Sequence, residues 1–234
     1  MAGVDPRPVN GQLWGEWIRA GAERWDVVQR SWFVFARNTT ELIDLLKVPA
    51  TNIDASMLLM GDDLHAAAPF WQELDQRLHN ELASAVSLVD HTRRLLKHYK
   101  DDAAHFVGEY IDRNSSVTTL DESIFLRDLR NYLLHYGVAP VVQSLSLGPI
   151  DEVGMTGHSI KLSSSGLLRW KGWKAQSQVY LGRFEDRDGP VLARDVVTYA
   201  NAMSQLFTWT LSQRKVLNST DNAPERFRLD LMPG

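Results

Sequence analysis

Apolar residues recur every three to four positions near the start of the chain. From residue 12 to about residue 37 this spacing, which includes four tryptophans, predicts a long amphipathic helix. A short apolar segment, residues 42–48, follows a polar stretch at 38–41 that is typical of a helix start, and Pro49 is expected to end it. A loop is then expected to extend to about Gly61.

Residues 63 to about 113 again show helical spacing of apolar side chains, over a length that suits two helices or one bent helix. The polar segment 114–118 predicts a break after them. Thr119 and Glu122 then form a Ser/Thr-x-x-Glu pattern, in which the two side chains satisfy free backbone amides at the start of a new helix.

The helix expected from about Leu120 to Tyr136 is the best-defined element of the sequence. Gly137 and Pro140 follow it and are typical of residues that end a helix. Its apolar residues fall on one continuous stripe, which predicts a buried face made of Phe125, Leu129, Tyr132, Leu133 and Tyr136.

The region after this helix has partial strand character. Residues 141–147 and 159–163 flank a connection that contains glycine and proline, which predicts an inserted β-hairpin at about 141–163. Residues 167 to about 184 could return to helix, and residues 192–217 predict a long closing helix. The expected fold is therefore all-α, a single helical bundle over residues 1–217 with a small hairpin insertion and a flexible tail at 218–234.

Composition narrows the class of protein. The chain has 234 residues, 44% of them hydrophobic, and no cysteine, which excludes disulfides and thiolate chemistry and favours a reducing compartment such as the cytoplasm. Neither a signal peptide nor a run of about 20 apolar residues is recognisable, so no membrane contact is expected. The net charge of -4 means that any contact with nucleic acid would be local.

The helix at 120–136 carries a polar string, Arg130-Asn131-Tyr132-Leu133-Leu134-His135. Arg127, Asn131 and His135 are spaced four residues apart and share one face of the helix, with Arg130 beside them. Histidine exchanges protons near neutral pH, and a guanidinium group clamps phosphate oxygens with paired N–H donors. These groups suit RNA cleavage by attack of the 2′-hydroxyl, a reaction that needs no metal.

The string resembles the hallmark of HEPN-domain proteins, which is arginine, a polar residue, three variable residues and histidine. Arg130, Asn131 and His135 match this pattern. HEPN proteins are helical ribonucleases found among toxins, abortive-infection proteins and type VI CRISPR effectors. The resemblance loosely spans residues 11 to 217, and it implies a HEPN-like helical bundle and a metal-independent endoribonuclease with a toxin or phage-defence role.

The resemblance also implies roles for individual residues and a set of partners. His135 would move protons, Arg130 would hold the scissile phosphate, and Asn131 would orient the phosphate or the motif, with Arg127 and Tyr132 as residues that bind the RNA substrate. No cofactor is expected. One chain supplies one imidazole from this motif, so a homodimer would be needed for an acid and a base. An antitoxin or other regulatory protein would restrain the enzyme.

In two alternative interpretations the motif has no catalytic role. In the first, Arg130 pairs with Asp128 or another carboxylate, and His135 caps the last helical turn. In the second, the bundle is a non-catalytic HEPN-like module for interaction or dimerisation. RNA cleavage that is lost in His135→Ala would distinguish the enzyme from both.

Three further patterns compete for a role. Arg93 and His98 repeat the Arg-x4-His spacing, but they lie in a charged run that suits a solvated helix face. His91, His98 and His105 recur every seven residues, too far apart along a helix to bind one metal ion without a partner helix. The cations Arg169, Lys171 and Lys174 alternate with Trp170 and Trp173, which suits either RNA stacking or packed tryptophans with exposed cations.

Overall fold

A computed structural model describes residues 11–146, 157–184 and 189–219 of the chain. Within these ranges it contains eight helices and one two-stranded hairpin, which confirms the all-α prediction with a small hairpin insertion. No helix in these ranges is long and apolar enough to cross a membrane. The elements are α1 (Gly11–Thr51), α2 (Ile53–Met60), α3 (Leu64–Tyr99), α4 (Ala104–Thr118), α5 (Asp121–His135), β1 (Val141–Ser146), β2 (Gly157–Leu162), α6 (Ser164–Leu167), α7 (Ala175–Gly182) and α8 (Leu192–Leu217).

Helix α1 is continuous where two helices were predicted. The polar residues at 38–41 do not start a new helix, because Thr40 donates its hydroxyl to the carbonyl of Ala36 and Thr39 donates to Glu81 on α3. Pro49 lies in the last turn, where it removes one backbone donor without ending the helix. The loop predicted up to residue 61 was also wrong, since it contains α2, whose first turn is capped by Asn52.

Of the two predicted arrangements, two helices or one bent helix, the structure has the first, α3 and α4, but the predicted break at 114–118 was wrong. Ser115, Ser116 and Thr118 each donate a hydroxyl hydrogen bond to a carbonyl three or four residues earlier, so these polar side chains decorate the exposed face of α4. The predicted capping box was wrong as well. Thr119 donates to the carbonyl of Ser115 at the end of α4, and α5 starts after Leu120 without a side-chain cap.

The hairpin pairs β1 with β2 in antiparallel register, with Val141 opposite Leu162. Residues 147–156, including the predicted end of the first strand, lie outside the described ranges. Between residues 167 and 184 only part of the chain returns to helix, because turns separate α6 from α7. Helix α8 has the predicted bounds. Most of the predicted tail, residues 220–234, lies outside the described ranges, as do residues 1–10.

Two clusters of buried side chains form the core, and α1, α3 and α8 contribute to both. The tryptophan cluster joins α4 to these long helices, and its largest members are Trp14, Trp17, Trp25, Phe35 and Phe207. The motif-helix cluster joins α5, β2, α6 and α7 to the same helices, and its members include Leu42, Leu78, Phe125, Leu129 and Tyr180. Helix α5 is therefore held from several sides, which fixes its rotation and decides which of its residues face solvent.

Candidate active site on helix α5

The apolar face of α5 determines where the motif points. Phe125 is fully buried against the rings of Trp173 and Tyr180, at centroid distances of 5.8 and 5.3 Å. Leu129 is also fully buried. The stripe ends earlier than predicted, because Tyr136 lies beyond the last helical residue and is 53% exposed. The motif side chains consequently lie on the opposite, solvent-facing side of the helix.

The structure places the three proposed catalytic residues along the second half of α5. Arg130 and Asn131 are half-buried, and His135 is exposed at the last residue of the helix. None of the three side chains makes a hydrogen bond or an ion pair with any residue in the described ranges. Their donors and acceptors therefore remain open to a ligand or to a second copy of the chain.

Asp128 is the nearest carboxylate in sequence to Arg130, but it points into the protein. The side chain is 2% exposed, and its Oδ2 accepts a hydrogen bond from the hydroxyl of Ser177 at 2.8 Å. The backbone N–H and the ammonium group of Lys174 lie 3.4 and 3.5 Å from its carboxylate oxygens. Asp128 thus anchors the start of α7. No carboxylate in the described ranges forms a salt bridge with Arg127 or Arg130.

Tyr132, which was expected to bind substrate, is placed in the core. It is 4% exposed and stacks on Trp173 at a centroid distance of 5.7 Å, with Trp170 meeting it edge-on at 5.7 Å. Trp173 itself is buried and donates its ring N–H to the carbonyl of Leu167. The basic-aromatic pattern at 169–174 therefore consists of the buried Trp173 and the half-buried Trp170, with the exposed cations Arg169, Lys171 and Lys174 around them.

Arg127, the other residue expected to bind substrate, is exposed one helical turn before Asn131. Its side chain lies at the rim of a cavity between α3, α4, α5 and α8, which Arg130 and His135 do not line. The residues Arg127, Asn131 and His135, which were predicted to share one face of the helix, therefore lie in two different environments. Asn131 and His135 face solvent near the end of α5, and Arg127 lies close to both the solvent and the cavity.

The second Arg-x4-His string does not form a comparable site. Arg93 pairs with Asp90 at 3.0 Å, and the ring of His98 stacks on Trp17 with 5.0 Å between centroids. The heptad histidines do not gather either, since His91 contacts Ser31 on α1 and His105 faces Glu109 on its own helix. Across the described ranges no group of three or more potential ligands could hold a metal ion.

Apolar side chains surround the end of the motif. Leu134, Tyr136 and Val138 are all exposed next to His135. Isolated exposed apolar residues are ordinary, but three around one polar motif form a surface that a partner could cover. Because they extend past the end of α5, a second copy of the chain packed on them would approach His135.

One buried polar relay was not foreseen from the sequence. Ser56 and His158 are each 3% exposed, and the serine hydroxyl lies 2.6 Å from Nδ1 of the imidazole. The other ring nitrogen lies 3.0 Å from Oε1 of Gln143, whose amide N–H donates to the carbonyl of Leu59. Gln143 thus accepts from Nε2, and Ser56 donates to Nδ1. The residues are up to 102 positions apart, so no local pattern could reveal the relay, which ties α2 to the hairpin.

The chain was compared with protein-family models, with curated protein sequences and with solved structures. None of the three comparisons found a match. The functional conclusion therefore depends on the geometry of the chain itself and on the resemblance of its motif.

Proposed function

We propose that this protein is a metal-independent endoribonuclease whose active centre is formed by Arg130, Asn131 and His135. The observation that carries the proposal is the combination, on one helix, of an accessible imidazole and a guanidinium that pairs with no carboxylate in the described ranges, with the adjacent carboxylate of Asp128 turned into the core. An arginine that served only stability would be expected to pair with such a carboxylate. The match to the HEPN pattern supports the same conclusion.

The chemistry follows from what these groups can do. The imidazole of His135 removes the proton from a ribose 2′-hydroxyl, and the resulting oxygen attacks the adjacent phosphorus. The bond from phosphorus to the 5′-oxygen breaks, and that oxygen takes up a proton, which leaves a 2′,3′-cyclic phosphate and a 5′-hydroxyl. Arg130 binds the phosphate oxygens as negative charge develops, and Asn131 orients the phosphate through its amide.

A second imidazole would protonate the leaving oxygen while the first acts as base. We propose that a two-fold homodimer supplies it, with the end of α5 in each copy close to the end of α5 in the other. The exposed Leu134, Tyr136 and Val138 provide an apolar contact for such a dimer. The same surface also suits the alternative function, a dimerisation module without catalysis, and the experiments below separate the two.

The test of catalysis is digestion of total cellular RNA by the purified protein in the presence of EDTA. Wild type is expected to cleave, and Arg130→Ala and His135→Ala are expected to lose at least about a hundredfold in rate. His105→Ala is the matched control, because this histidine is exposed on α4 and faces Glu109 on its own helix. Mass spectrometry of the products should find 2′,3′-cyclic phosphate ends.

Two results would contradict the proposal. If wild type, folded and dimeric, cleaves no RNA, the non-catalytic module is the better description. If His135→Ala cleaves like wild type, the active centre lies elsewhere.

The dimer is tested by introducing a charged residue into the apolar surface next to His135. Val138→Asp should convert a dimer to a monomer in size-exclusion chromatography with light scattering, and RNA cleavage should fall with it. Val179→Asp, an exposed apolar position on α7, is the control and should leave the oligomeric state unchanged. A wild-type monomer that cleaves RNA would contradict the composite site.

A further inference from the structure

A cavity of about 340 Å³ lies between α3, α4, α5 and α8, on the boundary between the two core clusters. Its size falls in the range of small-molecule sites, about 300 to 1,000 Å³. Most of the exposed wall is apolar, and the side chains that define it include Leu82, Ala85, Val89, Leu126 and Met203. A ligand that fills this space must therefore be largely apolar.

One buried polar group in the cavity wall has no partner among the described residues. Ser123 is 8% exposed, and its buried hydroxyl makes no hydrogen bond to any group in the described ranges. Tyr110 and Tyr199 also line the cavity. Because buried polar groups in proteins are nearly always hydrogen-bonded, the hydroxyl of Ser123 indicates that a ligand with a polar group belongs here.

The charge at the rim identifies the polar group of that ligand. Arg127 lies one helical turn after Ser123 on α5, and both residues line the same cavity. Tyr199 lines the cavity as well, and burial raises the pKa of its phenol, while the positive charge of Arg127 opposes part of this effect. The other arginine at the cavity, Arg93, is neutralised by Asp90 at 3.0 Å. Asp90 lines the cavity too, so among the described residues of the wall Arg127 is the cation without a carboxylate partner.

We propose that this cavity binds a small amphiphilic monocarboxylate, of which a medium-chain fatty acid is the simplest example. The carboxylate accepts paired hydrogen bonds from the guanidinium of Arg127 and a further hydrogen bond from the hydroxyl of Ser123. The aliphatic chain lies against Leu82, Ala85 and Met203. A free sugar or an inorganic anion would leave the apolar wall unfilled, and a long polymer would not fit the volume.

This site goes beyond the proposed nuclease and does not depend on it. Binding is measured without RNA, and neither Arg130 nor His135 lines the cavity. His135→Ala is therefore expected to bind the carboxylate as wild type does, whatever the result of the cleavage assay.

The test is isothermal titration calorimetry of the full chain with decanoate, with decanol as the uncharged comparison. Decanoate should bind with one molecule per chain, and Arg127→Ala should weaken binding at least tenfold, since a charge-assisted hydrogen-bonded pair is lost. Ser123→Ala should weaken it several-fold. Arg94→Ala removes an exposed cation from α3 that does not line this cavity, and it should leave decanoate affinity unchanged.

A variant that fills the space provides a second readout. Ala85→Leu adds a larger side chain to the wall and should reduce decanoate binding, with circular dichroism and the midpoint of thermal unfolding used to confirm that the variant folds. Three results would overturn the proposal: folded wild type that binds no decanoate, decanol bound as tightly as decanoate, or unchanged decanoate affinity in both Arg127→Ala and Ala85→Leu.

Discussion

The carboxylate of Asp128 accepts a hydrogen bond from the hydroxyl of Ser177 at 2.8 Å, which joins the middle of α5 to the first turn of α7. Ser177 is fully buried and Asp128 is 2% exposed, so the bond lies inside the protein. This one orientation has two effects. It secures α7 against the motif helix, and it removes from the surface the carboxylate that would otherwise neutralise Arg130.

Asp128→Ala should lower the free energy of unfolding by about 2 kcal/mol, because the buried hydroxyl of Ser177 and the N–H of Lys174 lose their acceptor. Urea denaturation followed by circular dichroism measures this change. Asp121→Ala is the control, since Asp121 also joins α5 to α7, through an exposed ion pair with Arg183. Its loss should cost less than about 1 kcal/mol. Equal losses in the two variants would contradict the importance of the buried bond.

Glu81 should make the protein less stable as the pH rises. The side chain is 1% exposed, and burial raises the pKa of its carboxyl from 4.5 to about 8. The folded protein therefore binds this proton more tightly than the unfolded chain does. The resulting stability is complete below the unfolded pKa and is lost as the pH rises through the folded one. Between about pH 6.5 and 8 the free energy of unfolding should fall by roughly 2 kcal/mol.

Glu81→Gln tests the assignment, because the amide keeps an acceptor for the hydroxyl of Thr39 and cannot ionise. The variant should show little pH dependence over this window. Asp195, whose pKa burial raises to about 6, contributes at lower pH, so measurements above pH 6.5 separate the two groups. If wild type and Glu81→Gln have the same slope of stability against pH, another group is responsible.

The relay between Ser56 and His158 should appear as energetic coupling between α2 and the hairpin. In a double-mutant cycle, Ser56→Ala and His158→Phe should interact by about 1 kcal/mol, measured by urea denaturation of the two single variants and the double variant. Burial also lowers the pKa of His158. The folded state consequently loses stability relative to the unfolded chain as the pH falls below the ordinary histidine value.

Thr92→Ala provides the matched control for this cycle. Thr92 is fully buried in α3, and its hydroxyl donates to the carbonyl of Leu88, a member of the tryptophan cluster on the same helix. The changes in the free energy of unfolding caused by Thr92→Ala and His158→Phe should be additive, with a deviation of no more than about 0.3 to 0.5 kcal/mol in the double variant. If Ser56→Ala and His158→Phe prove equally additive, the relay contributes no specific stability.

The sequence was most informative where the hydrophobic period was long and regular. Helix α8 begins and ends at the predicted residues, and the two strands of the hairpin were found within two residues of their observed bounds where these are described. It was least informative at short polar segments. Residues 38–41 and 114–118 have the composition of helix ends, yet both lie inside helices because their hydroxyls bond to carbonyls or to a neighbouring helix. Local composition does not distinguish these two uses of serine and threonine.

The amino-acid sequence by itself determined the helical period, the position of the hairpin and the linear order of Arg130, Asn131 and His135. Packing decided the rest. It buried Tyr132, turned Asp128 toward Ser177 and placed Ser123, with its buried hydroxyl, in the wall of a cavity that Arg127 also lines. The physical reason is that a helical period specifies which residues share a face of a helix. The side chains that pack against that face come from segments distant in sequence, and only the tertiary structure gives their positions.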